Sequence, residues 1–246
     1  MTYKFEKAFT LAEVLITLAV IGVVAALTIP NLIIKYDKKQ TITKLQKANS
    51  VLSQMMLQAY SDNGPASLFL NSHSEVTAEK TKEYFNTYWL PYFKAPKVSD
   101  NMELPYNEDQ PYKQLNGTKA EMAIKTYYGG GRIYFTTQDN ISYFITTMYW
   151  DYERDEDGNI ISGKAKYGQT QDVYVDINGT RGPNIIGKDV FRFSTNFEEN
   201  SVKPYCYNQT KAHINNNCDK NKTNTGICCS SKIINDGWQI KEDYPW

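Results

Sequence analysis

The sequence predicts an α+β fold in which one long N-terminal helix precedes a head built on an antiparallel β-sheet. Three observations carry this prediction. An apolar run from Phe9 to Ile29 contains a single charge, an amphipathic pattern follows it over residues 42–59, and runs rich in β-branched and aromatic residues begin near Arg132. The chain has 27 Lys plus Arg and 27 Asp plus Glu, so it has no net charge to attract nucleic acid. We therefore expect no nucleic-acid partner.

The apolar run is long enough to span a membrane. At about 1.5 Å per residue, a helix from Phe9 to Ile29 is about 31 Å long, which is enough to cross the hydrocarbon core. A cleaved secretory signal usually has a shorter apolar stretch, of about 7 to 15 residues. Lysines flank the run on both sides, so charge does not settle its orientation.

Thr10 and Glu13 have the spacing of a capping box at the start of this run. In such a box the threonine hydroxyl accepts a bond from one unpaired helix amide, and the glutamate side chain reaches back to another. A carboxylate in the first turn also interacts favourably with the helix dipole. The pair predicts a helix that begins near Phe9, but the capping box alone does not explain why the helix begins there.

The stretch KAFTLAEVLI, from Lys7 to Ile16, closely resembles the type IV prepilin signal of pilins and type II secretion pseudopilins. The resemblance implies that a prepilin peptidase removes a leader of residues 1–8 by cleaving between Ala8 and Phe9. Ala8 replaces the glycine that is most common there. It also implies that the new N-terminus, Phe9, is methylated. In a filament, Glu13 would pair with the Phe9 amine of a neighbouring subunit and set the axial register, since a buried charge is tolerable when it has a partner.

The resemblance extends to Pro30, where many pilins have a helix-breaking proline. Proline lacks the amide donor, so we expect it to kink or loosen the helix. The implied layout is a long helix over residues 9–60, with its membrane-spanning and assembly half at 9–34. A globular head with the antiparallel sheet follows at 61–200, and a cysteine-bearing region at 201–246.

The remaining elements are predicted from their patterns. The apolar stripe of residues 42–59 should pack on the head, and the stretch from Ser61 to Pro65 should end the helix. Aromatic residues at helical spacing predict a short helix that contributes to the core: Phe85, Tyr88, Trp89 and Phe93. Strands are predicted at 132–137 and 141–150, which should form a hairpin, and at 172–177 and 188–194, with a charged turn around Asp157.

All four cysteines lie near the C-terminus, at Cys206, Cys218, Cys228 and Cys229. An even, clustered set favours a disulfide framework in an oxidising compartment. The adjacent pair would form a strained ring, so one of these cysteines should join Cys206 and the other Cys218, in either order. A metal site is the alternative, but there is no CxxC pair and only one nearby histidine, His213. Because disulfides form in an oxidising compartment, the cysteines favour an orientation in which the C-terminal part of the chain lies outside the membrane.

No catalytic constellation is found, so we expect that the chain is not an enzyme. We also expect no cofactor, with one weak exception. Asp176, Asn178 and Asp189 could supply oxygen ligands to Ca²⁺, and the resemblance adds that major pseudopilins use calcium in a C-terminal loop, although with a different ligand spacing.

The predicted function is that of a structural subunit of a bacterial type IV pilus or a type II secretion-like pseudopilus. The resemblance implies three partners: prepilin peptidase, other pilin or pseudopilin subunits, and an inner-membrane assembly platform. It also implies a single-pass precursor in the inner membrane with a cytoplasmic N-terminus and a periplasmic or extracellular head. The alternative is a membrane-anchored binding module, an adhesin or a DNA-uptake receptor, that does not polymerise. A pilus, a secretion pseudopilus and a competence system all share this signal.

Overall fold

The computed structural model describes residues 10–65, 78–98, 112–120, 132–146, 150–154, 160–167, 172–196, 199–222 and 225–246. The helices in this part of the chain are α1 (Leu11–Asn63), α2 (Ala78–Tyr88), α3 (Lys211–Asn216) and α4 (Cys229–Asn235). Its strands are β1 (Lys97–Val98), β2 (Arg132–Thr136), β3 (Ser142–Thr146), β4 (Trp150–Arg154), β5 (Ile160–Tyr167), β6 (Asp172–Asp176), β7 (Val190–Asn196) and β8 (Ser201–Pro204).

Helix α1 is continuous from Leu11 to Asn63 and belongs to two units of the chain. The first unit is Met1–Gln40, and the second is Thr41–Trp246. Pro30 lies within α1 without ending it. The helix break expected at Pro30 is therefore a single missing backbone hydrogen bond inside a continuous helix, because proline cannot donate to the carbonyl of Ala26.

Six strands form one antiparallel sheet in the order β1-β2-β3-β6-β7-β8. Strands β4 and β5 pair with each other in a separate two-stranded sheet. The hairpin predicted after Arg132 is present as β2 and β3, but the single strand predicted over 141–150 is wrong. Residues 142–146 pair with β2 and β6, whereas Trp150 begins a strand that pairs with β5. A β-prone run does not show where a strand changes its pairing partner. The charged turn predicted around Asp157 lies outside the described residues.

The main core lies on one face of the six-stranded sheet. It includes the buried stripe of α1, the aromatic residues that follow it, and alternate residues of β2, β3, β6 and β7. The α1 stripe consists of Leu45, Ala48, Leu52, Met55, Met56 and Ala59, each at most 1% exposed. The aromatic residues predicted to join the core do so, since Phe85, Trp89 and Phe93 are buried and Tyr88 is partly buried, but the helix that carries them ends at Tyr88. The Phe93 ring lies 4.8 Å from Phe135 and 4.9 Å from Tyr143, in edge-on contacts.

The opposite face of the sheet has a second, smaller core. Tyr134, Phe144 and Tyr174 point to it from neighbouring strands and pack with Tyr112 and Ile186. Since alternate residues of a strand face opposite sides of a sheet, both sets of side chains are buried. The sheet is therefore covered on both faces, and the α+β fold predicted from the sequence is confirmed.

The C-terminal region is tied to strand β7 and to the turn after β8. Ser230 Oγ donates to the carbonyl of Arg192 at 2.6 Å, and Ser231 Oγ donates to the carbonyl of Tyr205 at 2.6 Å. The Arg192 guanidinium lies 3.6 Å from the centre of the Tyr205 ring and forms two hydrogen bonds to Asp172. The short helix α4 is thereby fixed to the sheet through polar contacts on its buried face.

Candidate functional site

The N-terminus of α1 contains the capping box expected from the sequence. The backbone amide of Thr10 donates to Glu13 Oε2 at 2.8 Å, and the amide of Glu13 donates to Thr10 Oγ1 at 3.3 Å. The Thr10 hydroxyl also donates to Glu13 Oε2 at 2.9 Å. Two of these bonds use Glu13 Oε2, and none of the bonds in the described residues uses Oε1. The cleavage and methylation positions, Ala8 and Phe9, lie just before the described residues.

The first half of α1 exposes apolar side chains along its length. Large hydrophobic residues in this half are exposed from Leu11 to Tyr36. By length and composition, this helix is suited to cross a membrane. Its polar side chains bond to the helix itself: Thr17 Oγ1 donates to the carbonyl of Val14 at 2.9 Å, and Thr28 Oγ1 to that of Val24 at 2.8 Å. Such bonds satisfy hydroxyl groups that would be costly in hydrocarbon.

The weak calcium candidates lie together at the end of β6. The backbone amide of Asn178 donates to Asp176 Oδ1 at 3.1 Å, and Asn178 Nδ2 donates to Asp189 Oδ2 at 3.2 Å. Asp189 also accepts from the amides of Asn184, at 2.8 Å, and Ile185, at 2.6 Å. By accepting from these donors, the Asp189 carboxylate stabilises the loop of residues 184–189 that precedes β7. Calcium at this position remains a prediction.

Asp176 is fully buried and accepts a 2.7 Å hydrogen bond from the Tyr112 hydroxyl. The pKa of Asp176 is raised to about 7, chiefly by burial and also by the nearby Asp189 carboxylate, whereas the bonds from the Tyr112 hydroxyl and the Asn178 amide partly offset the rise. Burial likewise raises the pKa of Asp189. Sequence reasoning missed Tyr112, because its partner lies 64 residues away along the chain.

The predicted disulfides are present, and their pairing is Cys206–Cys228 and Cys218–Cys229. Each member of the adjacent pair therefore joins a different earlier cysteine. The second bond is the more deeply placed, with Cys218 3% and Cys229 0% exposed. In the first bond, Cys206 is half-buried in the turn that follows β8. His213 lies beside this outer bond, so that Cys206, Cys228 and His213 have their ligand atoms within 4.8 Å of one another.

A cavity of about 310 Å³ lies between α1 and the turn that joins β2 to β3. Val51 and Tyr143 contribute to its walls, and an ion pair of 2.7 Å joins Lys47 to Asp139 at its edge. Its lining includes no histidine or cysteine and a single acid.

Two family models match this chain, and together they cover most of it. The first, the prokaryotic N-terminal methylation motif, matches residues 3–29, which include Thr10 and Glu13. The second is DUF6613, a family of unknown function, and it matches residues 31–246. The chain belongs to the DUF6613 family. Neither a curated protein nor a solved structure matches it.

This DUF6613 protein carries the prepilin-type cleavage and methylation signal of type IV pilins and pseudopilins. The resemblance stated from the sequence is thus confirmed. The same motif indicates processing by a peptidase, a membrane-anchored single-pass precursor, and a pilin-like structural protein. The motif ends one residue before Pro30, and the family match begins one residue after it.

Proposed function

We propose that this DUF6613 protein is a structural subunit of a type IV pilus or a type II secretion-like pseudopilus. In this proposal, prepilin peptidase cleaves between Ala8 and Phe9, Phe9 is methylated, and α1 carries the subunit into the filament. The observation that carries the proposal is the methylation motif placed directly on an exposed apolar helix with a carboxylate in its first turn.

The geometry at Glu13 supports a role in assembly. A charge near the edge of a membrane or in a filament core is tolerable when it has a partner. In the part of the chain that the structure describes, the Glu13 carboxylate uses Oε2 for both bonds that it accepts from Thr10, and Oε1 accepts none, so Oε1 can accept a donor from another subunit. The methylated amine of Phe9 from a neighbouring subunit would supply that donor and fix the axial position of one helix against the next.

The proposed location follows from the prepilin-type signal near the N-terminus and from the two disulfides near the C-terminus. The N-terminus would face the cytoplasm before cleavage, and the head would lie in the periplasm or outside the cell. Two disulfides in the last part of the chain support an oxidising compartment for the head. The proposed partners are the prepilin peptidase, other pilin or pseudopilin subunits, and an inner-membrane assembly platform.

The test is to compare N-terminal peptide masses in the membrane fraction and the sheared-surface fraction of the native host. A methylated Phe9 terminus in both fractions is the expected result. An intact Met1, or the N-terminus near Leu27 that ordinary secretory cleavage after Ala26 would leave, would overturn the proposal, because neither is produced by cleavage between Ala8 and Phe9.

Two variants separate the charge of Glu13 from its capping role. Glu13→Gln keeps an acceptor for the Thr10 amide but removes the charge, whereas Thr10→Ala removes the hydroxyl cap and keeps the charge. We expect Glu13→Gln to be inserted in the membrane normally and to fall at least about 10-fold in the sheared fraction or in cross-linked multimers, since about 1.4 kcal/mol is worth tenfold. Thr10→Ala should assemble. Absence of both the wild type and Glu13→Gln from the sheared fraction and from multimers would instead favour an anchored module that does not polymerise, and normal assembly of Glu13→Gln would show that the charge does not set the register.

A further inference from the structure

The outer disulfide, Cys206–Cys228, has a histidine beside it, His213, that is not needed to hold the two cysteines together. His213 lies on α3, and the ligand atoms of Cys206, Cys228 and His213 all lie within 4.8 Å of one another. The position of His213 is fixed, because its backbone amide donates to Thr210 Oγ1 at 3.2 Å. Within the described residues, the His213 ring forms no hydrogen bond of its own, and the residue is exposed.

Two thiolates and one imidazole are ligands that zinc prefers. A tetrahedral zinc ion with Zn–S of about 2.3 Å and Zn–N of about 2.0 Å holds its ligand atoms roughly 3.5 to 3.8 Å apart. The Cα atoms of Cys206 and Cys228 are 5.4 Å apart, which lets the two sulfur atoms separate to this distance without moving the backbone far. The three residues therefore need small side-chain rotations to surround one ion.

We propose that the dithiol form of this protein binds one zinc ion through Cys206, Cys228 and His213. A dithiol or phosphine reductant first supplies two electrons, the S–S bond breaks, and each sulfur takes up one proton. Zinc then binds both sulfurs as thiolates and the ring as neutral imidazole, and the two thiol protons pass to solvent. Water completes the fourth position.

The inner disulfide keeps the ligands together in this form. Cys218 and Cys229 are buried, and the backbone of Gly187 lies directly against the Cys229 sulfur, where an added Cβ would approach to 2.8 Å. A reductant reaches the half-buried Cys206 more easily than either of them. Reduction should thus open the outer bond first and leave the turn, α3 and α4 in place.

Zinc binding and disulfide formation exclude each other, because the same two sulfurs serve both. Every newly made chain passes through the dithiol form before oxidation. A zinc ion held at this site would protect both thiols from oxidants and delay closure of the outer bond.

The test uses the full-length protein in detergent after mild reduction, with alkylation and peptide mass mapping to show that only Cys206 and Cys228 have opened. Zinc is then titrated against a chromogenic chelator, and cobalt(II) is used as a spectroscopic probe of tetrahedral thiolate ligation. We expect one ion per chain, and none in the oxidised protein. The zinc-loaded protein should also be oxidised by glutathione disulfide at least about 10-fold more slowly than the zinc-free dithiol.

Three variants decide the assignment. His213→Ala should weaken zinc binding by about 100-fold or more, since it removes a direct ligand. His213→Cys should retain tight binding, with a cobalt spectrum that shows an additional thiolate. His73→Ala, the control at the other histidine, should bind like the wild type.

Equal zinc affinity in the wild type and in His213→Ala would overturn the proposal, as would failure of the reduced wild type to bind one ion. Near-UV circular dichroism of the reduced protein checks that the ligands are still held together. Loss of that signal on mild reduction would also count against the proposal, because an unfolded C-terminal region cannot present a preformed site.

Discussion

At the scale of single residues, the buried carboxyl group of Asp176 is the clearest source of pH dependence in the head. Its pKa lies at about 7 in the folded protein, above the value of 3.8 for an exposed aspartate. The protonated form therefore stabilises the fold. This contribution is fully present below pH 3.8 and is lost as the pH rises through 7, because the ionised group must then be held without water.

We predict that Asp176→Asn flattens this dependence. The amide cannot ionise, and its oxygen can still accept from the Asn178 amide, as Asp176 Oδ1 does. The wild type should lose up to a few kcal/mol of unfolding free energy between pH 4 and 8, since one pKa unit is worth about 1.4 kcal/mol. The variant should lose less. Thermal unfolding of both proteins in detergent across this pH range measures the difference.

Tyr112→Phe provides the control for the Asp176 prediction. The Tyr112 hydroxyl donates to Asp176 and lowers its pKa, so its removal should move the loss of stability to higher pH. An unchanged pH profile in both variants would show that Asp176 does not control it. The sequence singled out Asp176 for its carboxylate, but the Tyr112 contact depends on tertiary packing that no local pattern encodes.

At the scale of elements, the C-terminal region packs against the loop before β7 by direct contact between backbone atoms. This close approach leaves no room for a side chain at Gly226. Gly226 has a φ of +97°, and a Cβ added there would lie 2.2 Å from the carbonyl oxygen of Ile186. Nearby, the Tyr244 hydroxyl donates to the carbonyl of Gly187. The approach of Gly226 to Ile186 joins positions 40 residues apart in the sequence, and the Tyr244–Gly187 bond joins positions 57 apart.

We predict that Gly226→Ala strongly destabilises the head, and Gly117→Ala is the matched control. Gly117 has a similar φ of +86°, but a Cβ added there meets nothing within 4 Å. Gly117→Ala should therefore cost about 1 to 2 kcal/mol, the penalty of the left-handed conformation alone. Gly226→Ala should cost several kcal/mol, because backbone must also move. Thermal unfolding of both variants compares the two costs, and equal costs would contradict the predicted clash.

The elements themselves could largely be predicted from local pattern. The α1 stripe and the runs that became β2, β3, β6 and β7 have the right periodicity or composition, and packing confirmed them. The transition from β3 to β4 could not be predicted, because the β-prone run continues to Trp150 and its composition does not show where the pairing partner changes from β2 and β6 to β5. The continuity of α1 through Pro30 also depends on more than the local pattern. The other hydrogen bonds of the helix outweigh the one that proline removes.

At the scale of the whole molecule, the sequence of α1 serves two environments. Most side chains from Leu11 to Ile34 are exposed and apolar, whereas the buried residues of the helix begin at Thr41. The resemblance carried by KAFTLAEVLI made this division predictable from the sequence. The sequence alone allows two disulfide pairings, because both satisfy the spacing and only the folded positions of Cys206 and Cys218 distinguish them.

This division predicts that a fragment of residues 35–246 is a soluble, folded protein without detergent. It retains every buried residue of α1 and lacks the exposed apolar stretch. Its unfolding temperature should lie within a few degrees of that of the full chain in detergent. A shorter fragment, 57–246, is the control, because it loses Leu45, Leu52, Met55 and Met56 from the core.

Burial of these four side chains is worth about 1.5 to 3 kcal/mol each, which together is comparable to the whole net stability of a domain of about 5 to 15 kcal/mol. Fragment 57–246 should therefore be unfolded or aggregated. Size-exclusion chromatography and circular dichroism of both fragments measure the outcome. If 35–246 also aggregated, the apolar half of α1 would be needed for folding of the head as well as for the membrane. If 57–246 folded normally, the buried stripe of α1 would contribute far less than its burial implies.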